Sequence, residues 1–399
     1  MQTELADFIR DTPEGREADA ILRKCVHCGF CAATCPTYQL LGDELDGPRG
    51  RIYLVKQVLE GAAPTEKTRL HLDRCLTCRA CETTCPSGVQ YGRLADIGRA
   101  IVEQKVGRGP WDSLKRRMLG WALPRTGLFT FLLALGRSFR FVLPASLSSK
   151  IPGKIGAGAW PPARHARKML ALAGCVQPAL APRINAAAAR VLDAQGVSLV
   201  EEPRAGCCGA LRFHLNDQDG GREDARALID AWWPAIERGE VEAIAMTASG
   251  CGAFVREYGD CLKDDPAYAQ KAARVSELTR DLCEVISERP IQKTNAPARV
   301  AFQSPCTLQH GQQLRGKVER LLQAAGHSLA PVADGHLCCG SAGTYSLLQP
   351  ELSQKLKERK LAALGVGEPQ RIATANIGCL SHLQSGTTVP VQHWIELLE

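Results

Sequence analysis

Eight cysteines near the amino terminus fall into two runs whose spacing suits iron binding. Both runs read C-x2-C-x2-C-x3-C-P, and they begin at Cys25 and Cys75, 50 positions apart. Thiolates at this spacing ligate [4Fe–4S] clusters, and the fourth cysteine of each run serves the other cluster in two-cluster proteins. The predicted ligands are Cys25, Cys28, Cys31 and Cys85 for cluster 1, and Cys75, Cys78, Cys81 and Cys35 for cluster 2.

Other uses of these eight cysteines fit the pattern poorly. Structural zinc sites use two pairs of ligands and have no need of a Cys-Pro ending. Disulfides form in oxidising compartments, and the polar first residues predict no secretory signal. We expect Pro36 and Pro86 to turn the chain away after each fourth cysteine. Two such clusters carry single electrons, so the sequence predicts an electron-transfer protein.

A second set of eight cysteines repeats in a fixed order in the carboxyl-terminal half. The two copies are Cys175, Cys207, Cys208, Cys251 and Cys306, Cys338, Cys339, Cys379. The offsets from Cys175, Cys207 and Cys251 to their counterparts are 131, 131 and 128 residues, which indicates a duplication. Three interpretations stay open: one or two further iron–sulfur centres, a redox-active disulfide, or small buried thiols. Cys261 and Cys283 lie outside the repeat and are interpreted as ordinary buried cysteines.

The elements that position the repeated cysteines alternate between strand and helix. The predicted strands are 169–173, 197–200, 243–247, 299–302 and 371–375, and the predicted helices are 182–195, 222–237, 312–325 and 352–364. Cysteines follow the carboxyl ends of strands, where open parallel sheets build their sites. The predicted fold class is α+β multidomain, with a mostly helical, ferredoxin-like two-cluster domain followed by two repeated α/β cysteine-rich domains. The predicted limits are 1–104, 105–168, 169–290 and 291–399.

Within residues 1–104, the sequence predicts helices around the two cluster loops. Asp11-Thr12-Pro13-Glu14 is typical of a helix start, and 93–104 has helical apolar spacing. Gly47-Pro48-Arg49-Gly50-Arg51 is predicted as a turn before a helix over 52–59. In that turn Arg49 and Arg51 either remain solvated, offset the charge of a cluster or dock a partner subunit.

The segment 105–168 carries the basic charge of the chain. It has thirteen Lys or Arg residues and one acid, Asp112, in a chain of net charge +7. Trp111, Met118 and Trp121 interleave with these basic residues, and a linker rich in Pro and Gly follows through Pro152 to Pro162. Basic amphipathic helices suit an anionic membrane surface or a partner groove. The alternative is that they pack on their own cluster domain.

No nucleic-acid motif accompanies the charge, and no apolar stretch reaches the roughly 18 residues of a membrane span.

The repeated Cys-x31-Cys-Cys-Gly … Cys pattern resembles the cysteine-rich domain of heterodisulfide reductase subunits. One of the subunits of anaerobic glycerol-3-phosphate dehydrogenase and a lactate-utilisation protein are relatives that share this domain. Several stretches further resemble the family of glycolate oxidase iron–sulfur subunits; the resemblance covers nearly the whole chain and is weakest in 105–165. These stretches are Cys35 to Tyr53, Thr247 to Tyr258, Cys306 to His310, Leu337 to Tyr345 and Thr374 to Cys379.

The resemblance implies an oxidoreductase complex that oxidises glycolate, and also D-lactate, to the 2-oxo acid. It implies that FAD resides on partner subunits and that this chain passes electrons toward a membrane acceptor, as a cytoplasmic protein held peripherally at the inner membrane. No catalytic residue is assigned here, since no G-x-G-x-x-G, P-loop or G-x-S-x-G motif is present. Alternatives are a stand-alone reductase of the heterodisulfide type, a subunit for glycerol-3-phosphate or lactate oxidation, or a structural membrane adaptor.

The chain departs from the fuller cysteine-rich motif at the end of each copy. Where that motif ends C-x2-C, this sequence has Cys251 followed by Phe254, and Cys379 followed by His382. Phenylalanine cannot ligate iron, whereas histidine can. A five-thiolate centre is therefore not expected in either copy, and a four-ligand centre remains open.

Overall fold

The computed structural model describes residues 1–142, 153–287 and 291–399. Pro152 of the predicted linker and the predicted domain limit at residue 290 lie outside these ranges. The chain begins with a helical part that carries the first two cysteine runs. It continues with a pair of bent helices and two small parallel sheets, each covered by helices.

Helices make up the amino-terminal part. They are α1 (Asp7–Arg10), α2 (Pro13–Lys24), α3 (Pro36–Leu41), α4 (Pro48–Leu59), α5 (Glu66–Asp73), α6 (Ala80–Thr84) and α7 (Tyr91–Lys105). Short 3-10 turns occupy Phe30–Ala32 and Glu44–Asp46. The side chain of Thr12 caps α2 and Pro13 stands in its first turn, as the sequence predicts. Pro36 begins α3 directly after Cys35, so the chain resumes as a helix at this point.

The predicted turn at 47–51 is wrong, because Gly47 is the N-cap of α4 and the residues from Pro48 to Arg51 form its first turn. Pro48 occupies the first helical position, where the missing N–H costs nothing and the fixed φ is already helical. Helix α4 then packs against α7 through a close contact. A Cβ added at Gly98 would lie 2.4 Å from Val55 Cγ2, so only glycine permits this approach.

Two helices follow, and they bend sharply at their junction. These are α8 (Pro110–Ala122) and α9 (Thr126–Ser138), with a 3-10 turn at Arg140–Val142. In the described ranges, no single helix is long and apolar enough to cross a membrane. Helices α8 and α9 reach that length and composition only when taken together, with a bend of 108° between them.

The first repeat is a four-stranded parallel sheet. Its elements are β1 (Arg167–Ala171), α10 (Gln177–Leu180), α11 (Arg183–Ala194), β2 (Val197–Glu201), α12 (Ala210–His214), α13 (Gln218–Glu237), β3 (Ala243–Met246), α14 (Ser249–Val255), α15 (Tyr258–Cys261), α16 (Ala269–Leu278), β4 (Thr279–Asp281) and α17 (Leu282–Val285). The strand order is β2-β1-β3-β4, with Met169 opposite Leu199 and Ala243.

The second repeat has the same topology. Its elements are β5 (Arg299–Gln303), a π-helical turn (Thr307–Gly311), α18 (Lys317–Ala324), β6 (Ser328–Leu329), α19 (Tyr345–Leu348), α20 (Pro350–Gly365), β7 (Arg371–Thr374), α21 (Ile377–Gln384), β8 (Val391–His393) and a 3-10 turn (Trp394–Leu397). The strand order is β6-β5-β7-β8, again fully parallel. The predicted repeated α/β architecture is confirmed.

The two repeats share one apolar core. Leu192 of the first repeat and Val318, Leu321 and Trp394 of the second belong to a single cluster of buried side chains. The sheets also meet through a backbone hydrogen bond from Ser249 N to Ala375 O at 3.0 Å. The two sheets are therefore joined both by shared packing and by a backbone hydrogen bond.

Candidate metal centres

The structure gathers the first eight cysteines around two neighbouring cavities. Cys25, Cys28, Cys31 and Cys85 line one cavity. Cys35, Cys75 and Cys78 line the other, and Cys81 borders both. Each predicted ligand set thus surrounds its own cavity, including the crossed fourth cysteines. The donor chemistry and the arrangement suit two [4Fe–4S] clusters.

The backbone of the two cysteine loops adopts the same unusual conformation. His27 and Gly29 have φ of 57° and 84°, and Thr77 and Arg79 at the corresponding positions have 52° and 60°. A residue with a Cβ pays roughly 1–2 kcal/mol in this left-handed region. Such local strain is typical of sites where function fixes the backbone, and here it curls each loop so that its thiols face inward.

The two cavities differ in their exposure to solvent. Cys28 of the first loop is exposed, and the apolar side chains of Val26, Phe30 and Tyr53 around it are 67%, 61% and 47% exposed. Burial, and then the charges of Cys25 and Cys28, raise the pKa of the Cys31 thiol to about 11. The first cavity therefore opens toward solvent through an apolar rim.

Two buried arginines lie at the second cavity and at the cysteine loop that forms it. Arg51 is 1% exposed, so its interpretation as part of a solvated turn is wrong. It donates to Thr37 Oγ1 at 3.1 Å and pairs with the buried Asp46 at 3.4 Å. Burial acts to raise the pKa of the Cys75 thiol, but the charges of Arg51 and Arg99 outweigh it and lower that pKa.

Arg99 is the second of these cations, and sequence reasoning missed it. Its guanidinium donates to Leu72 O at 2.8 Å, to Cys75 O at 2.5 Å and to Thr77 Oγ1 at 2.9 Å. Among the described residues it forms no salt bridge with a carboxylate. Arg99 therefore brings a positive charge to the Cys75 loop while it satisfies carbonyls at the end of α5.

The repeated cysteines lie in pairs at the carboxyl ends of their strands. In the second repeat, Sγ of Cys306 is 3.8 Å from Sγ of Cys338, and Sγ of Cys339 is 3.3 Å from Sγ of Cys379. Each double-cysteine turn also donates a backbone N–H to its own first sulfur. These contacts are Gly209 N to Cys207 Sγ at 3.4 Å and Gly340 N to Cys338 Sγ at 3.5 Å.

The two sets face different surroundings. Cys306 and Cys338 share an apolar cluster with Leu76 and Cys78 of the second cysteine loop, and Tyr345 donates its hydroxyl to Arg74 O at 3.0 Å. The first set instead opens on a cleft of about 680 Å³ whose lining includes Cys207, Trp121 and Arg212. The second set is therefore packed against the second cysteine loop, whereas Cys207 of the first set lies in the wall of an open cleft.

The remaining sequence candidates have structural partners. His310, four residues after Cys306 in the sequence, is buried and links Thr83 Oγ1 at 3.0 Å to His336 O at 3.1 Å. His382 Nε2 lies 3.2 Å from Ser353 Oγ, and Phe254 packs among buried aromatic side chains. Cys261, expected to be buried, is only partly so, whereas Cys283 is buried.

Comparison with known proteins agrees with this architecture. Residues 21–89 match the family of 4Fe-4S dicluster domains, and residues 169–256 and 300–384 each match the cysteine-rich domain family. A lactate utilization protein A of Shouchella clausii is 23% identical over 237 residues, which cover 56% of this chain and 95% of that protein.

Longer alignments relate the chain to one kind of iron–sulfur subunit. It is 56% identical to the glycolate oxidase iron-sulfur subunit of Escherichia coli K12, covering 100% of this chain and 98% of that protein. It is 32% identical to the probable glycolate oxidase iron-sulfur subunit of Bacillus subtilis 168, covering 92% and 89% of the two chains. At this identity and coverage, the chain belongs to the family of glycolate oxidase iron–sulfur subunits.

Proposed function

We propose that this chain is the iron–sulfur electron-transfer subunit of a complex that oxidises glycolate and also D-lactate. The observation that carries the proposal is the pair of adjacent cavities, each lined by one predicted ligand set. When bound, [4Fe–4S] clusters accept and release single electrons. The substrate chemistry then belongs to a flavin partner, because a flavin accepts the two electrons of the hydroxy acid together.

The ligand sets support a division of labour within the chain. Cys25, Cys28, Cys31 and Cys85 hold cluster 1 at the exposed loop, and Cys35, Cys75, Cys78 and Cys81 hold cluster 2 in the interior. The domain limits 1–104, 105–168, 169–290 and 291–399 accord with this division, since the three matched stretches fall inside the first, third and fourth.

The flavin partner docks on the exposed loop in this proposal. Val26, Phe30 and Tyr53 form an apolar rim around the exposed Cys28. Exposed apolar side chains of this size favour a protein interface. Electrons therefore reach the chain at cluster 1 and are drawn inward to cluster 2 by the positive charges of Arg51 and Arg99.

The experiment combines the full chain with its flavin partner under anaerobic conditions. We expect glycolate, and D-lactate, to reduce the clusters, with EPR signals from two interacting [4Fe–4S]⁺ centres. Phe30→Ser should slow this reduction while dithionite still reduces both clusters. Leu70→Ser, an exposed apolar residue on α5, is the matched control. Reduction by glycolate without any flavin partner would contradict the division of labour and favour a stand-alone enzyme.

We further propose that α8 and α9 hold the complex peripherally on the cytoplasmic face of the inner membrane, near the electron acceptor. Trp111, Phe131 and Phe141 are 81%, 64% and 83% exposed. Lys115 and Arg117 of α8 are exposed as well. Basic helices with exposed aromatic side chains bind anionic interfaces, where apolar burial and charge attraction add. A cytoplasmic site also suits eighteen cysteines without disulfides among the described residues.

Vesicle flotation tests this surface. The full chain should float with vesicles containing phosphatidylglycerol and should do so less with uncharged phosphatidylcholine vesicles. Trp111→Ser combined with Phe131→Ser should abolish flotation and leave the cluster spectra intact. Equal binding of this double variant and the unchanged chain would reject membrane docking and favour packing on a protein partner.

A further inference from the structure

The histidine inside the first cysteine loop has a buried nitrogen without a partner. His27 stands between Cys25 and Cys28, and it lines the first cavity but not the second. Nε2 of its ring is buried and has no hydrogen-bond partner among the described residues. A buried polar nitrogen without a partner costs free energy, so folded proteins leave few of them. We therefore expect the missing partner in the cavity that His27 lines.

The equivalent position of the second cysteine loop has a partner within the protein. Thr77 lies 50 residues after His27 and has nearly the same backbone conformation, with φ of 52° against 57°. The hydroxyl of Thr77 accepts a hydrogen bond from Arg99 at 2.9 Å, and Arg99 also donates to Cys75 O. The two loops therefore differ at one position: a buried cation serves the second, whereas the buried nitrogen of His27 remains available in the first.

Packing holds the ring of His27 in place. The ring meets that of Tyr53 edge-on, with the centroids 6.3 Å apart and an interplanar angle of 80°. Histidine adopts the left-handed backbone conformation more often than most residues that carry a Cβ, so it suits this position of the loop. Because the backbone and the ring are both held, Nε2 is preorganised to face the group that fills the first cavity.

An iron–sulfur cluster supplies acceptors for such a nitrogen. The four cysteines that line the first cavity with His27 suit a [4Fe–4S] cluster, whose sulfurs are negatively charged and accept hydrogen bonds. Hydrogen bonds to the sulfurs are among the factors that set the reduction potential. Reduction makes the cluster more negative and therefore a stronger acceptor, so each such bond stabilises the reduced form more and raises the potential.

We propose that His27 Nε2 donates a hydrogen bond to a sulfur of cluster 1 and thereby raises the reduction potential of that cluster. The inference rests on the proposed electron-transfer function and deepens it, because electrons enter the chain at cluster 1 in that proposal. A higher potential at cluster 1 favours transfer from the flavin partner. Tyr53, against which His27 packs, also belongs to the apolar rim on which this partner docks.

The test is a redox titration of the anaerobically purified full chain, followed by EPR. His27→Phe keeps a ring against Tyr53 but removes the N–H, and it should weaken the reduction of cluster 1 about tenfold, or by about 60 mV. His27→Gln restores an N–H donor and should recover most of this loss. The potential of cluster 2 should stay the same in both variants. His165→Phe makes the same change at a histidine that lines neither cavity, and it should alter neither potential.

Pulsed EPR detects the bond in the unchanged chain. With ¹⁵N-labelled histidine, reduced cluster 1 should show a hyperfine coupling to ¹⁵N that His27→Phe removes. If both clusters are present and this coupling is absent, the inference is overturned and the proposed function stands. Equal potentials of cluster 1 in His27→Phe and His27→Gln would likewise overturn it, because the N–H would then have no effect. A chain that assembles no [4Fe–4S] cluster would overturn the proposed function, and this inference with it.

Discussion

At the scale of single residues, charge placement distinguishes the two ferredoxin-type sites. The exposed loop has Arg49, which is partly exposed and paired with Glu44. At the interior loop Arg99 is buried and forms no salt bridge with a carboxylate among the described residues, whereas the buried Arg51 pairs with Asp46. A buried cation favours the more negative, reduced form of a cluster because little solvent screens it. Cluster 2 should therefore have the higher reduction potential.

Arg99 offers a test of this difference. Arg99→Met should lower the potential of cluster 2 by on the order of 60 mV, a tenfold change in its reduction equilibrium. Cluster 1 should change less, because Arg99 donates to the Cys75 loop. Redox titration followed by EPR measures both potentials. Arg99→Lys should retain most of the effect, and the exposed Arg16→Met should change neither; equal shifts of both clusters in Arg99→Met would contradict the assignment.

Asp281 predicts a pH dependence of stability. Its buried carboxyl caps α17 by accepting from Cys283 N at 3.1 Å, and burial raises its pKa to about 6. A pKa raised above the unfolded value favours the protonated form, so stability is full below about pH 4 and falls as the pH rises through 6. Asp281→Asn keeps the cap and removes this loss.

We expect Asp281→Asn to stabilise the protein by about 3 kcal/mol above pH 7 and by roughly half that at pH 5, since one pKa unit corresponds to about 1.4 kcal/mol. Urea unfolding at the two pH values measures the difference. Asp264→Asn, at a site with no capping hydrogen bond among those described, is the control and should show a far smaller change. A pH-independent effect at Asp281 would refute the titration argument.

At the scale of elements, the contact between α4 and α7 depends on a missing side chain. Gly98→Ala places a methyl group 2.4 Å from Val55 Cγ2, and such overpacking costs about 1–3 kcal/mol. In a Val55→Ala background the same change should instead stabilise by up to about 1 kcal/mol, through helix propensity alone.

The midpoint of urea unfolding, followed by cluster absorbance, measures all four chains of this double-mutant cycle. Gly107→Ala, where no atom lies within 4 Å of the added Cβ, is the control and should stay within about 0.5 kcal/mol. If Gly98→Ala costs the same in both backgrounds, Val55 is not the opposing group and the packing argument fails.

Local signals in the sequence were sufficient for much of the element order. Thr12 and Pro13 start α2 where the cap pattern predicts, and the duplicated cysteine spacing predicts two sheets of equal topology. The prediction of a turn at 47–51 failed because Gly47, Pro48 and Gly50 are as common at the start of a helix as in a turn. Tertiary packing decides between them, since Arg51 must point inward to reach Asp46. The burial of Lys360, which is 1% exposed on α20, was missed because a lysine on a polar helix gives no sign of it in the sequence.

At the scale of the molecule, the duplication has diverged in its contacts more than in its topology. The second repeat lies against the interior cysteine loop through Tyr345 and His310. The first repeat contacts the same loop through a bidentate pair between Arg79 and Glu257. Glu257 follows the end of α14, the helix that contains Cys251. The cysteine loop that begins at Cys75 is therefore clamped from two directions, and its geometry depends on the docking of both repeats.

The pair Arg79–Glu257 provides the test of this clamp. Glu257→Gln leaves a guanidinium that is 16% exposed without its counter-charge, and we expect a loss of about 2 kcal/mol, less than for a fully buried pair. Glu242→Gln removes a similar bidentate pair with Arg167, but that pair is largely exposed and should contribute under about 1 kcal/mol.

Hydrogen exchange distinguishes a clamp from general destabilisation. In Glu257→Gln, amides 76–84 of the cysteine loop should exchange faster while the sheet of the second repeat keeps its protection. The EPR line shape of cluster 2 should broaden, because a loosened loop samples more ligand geometries. Glu242→Gln should change neither readout. If Glu257→Gln speeds exchange only within the first repeat, then Arg79 does not hold the cysteine loop and the second repeat positions cluster 2 alone.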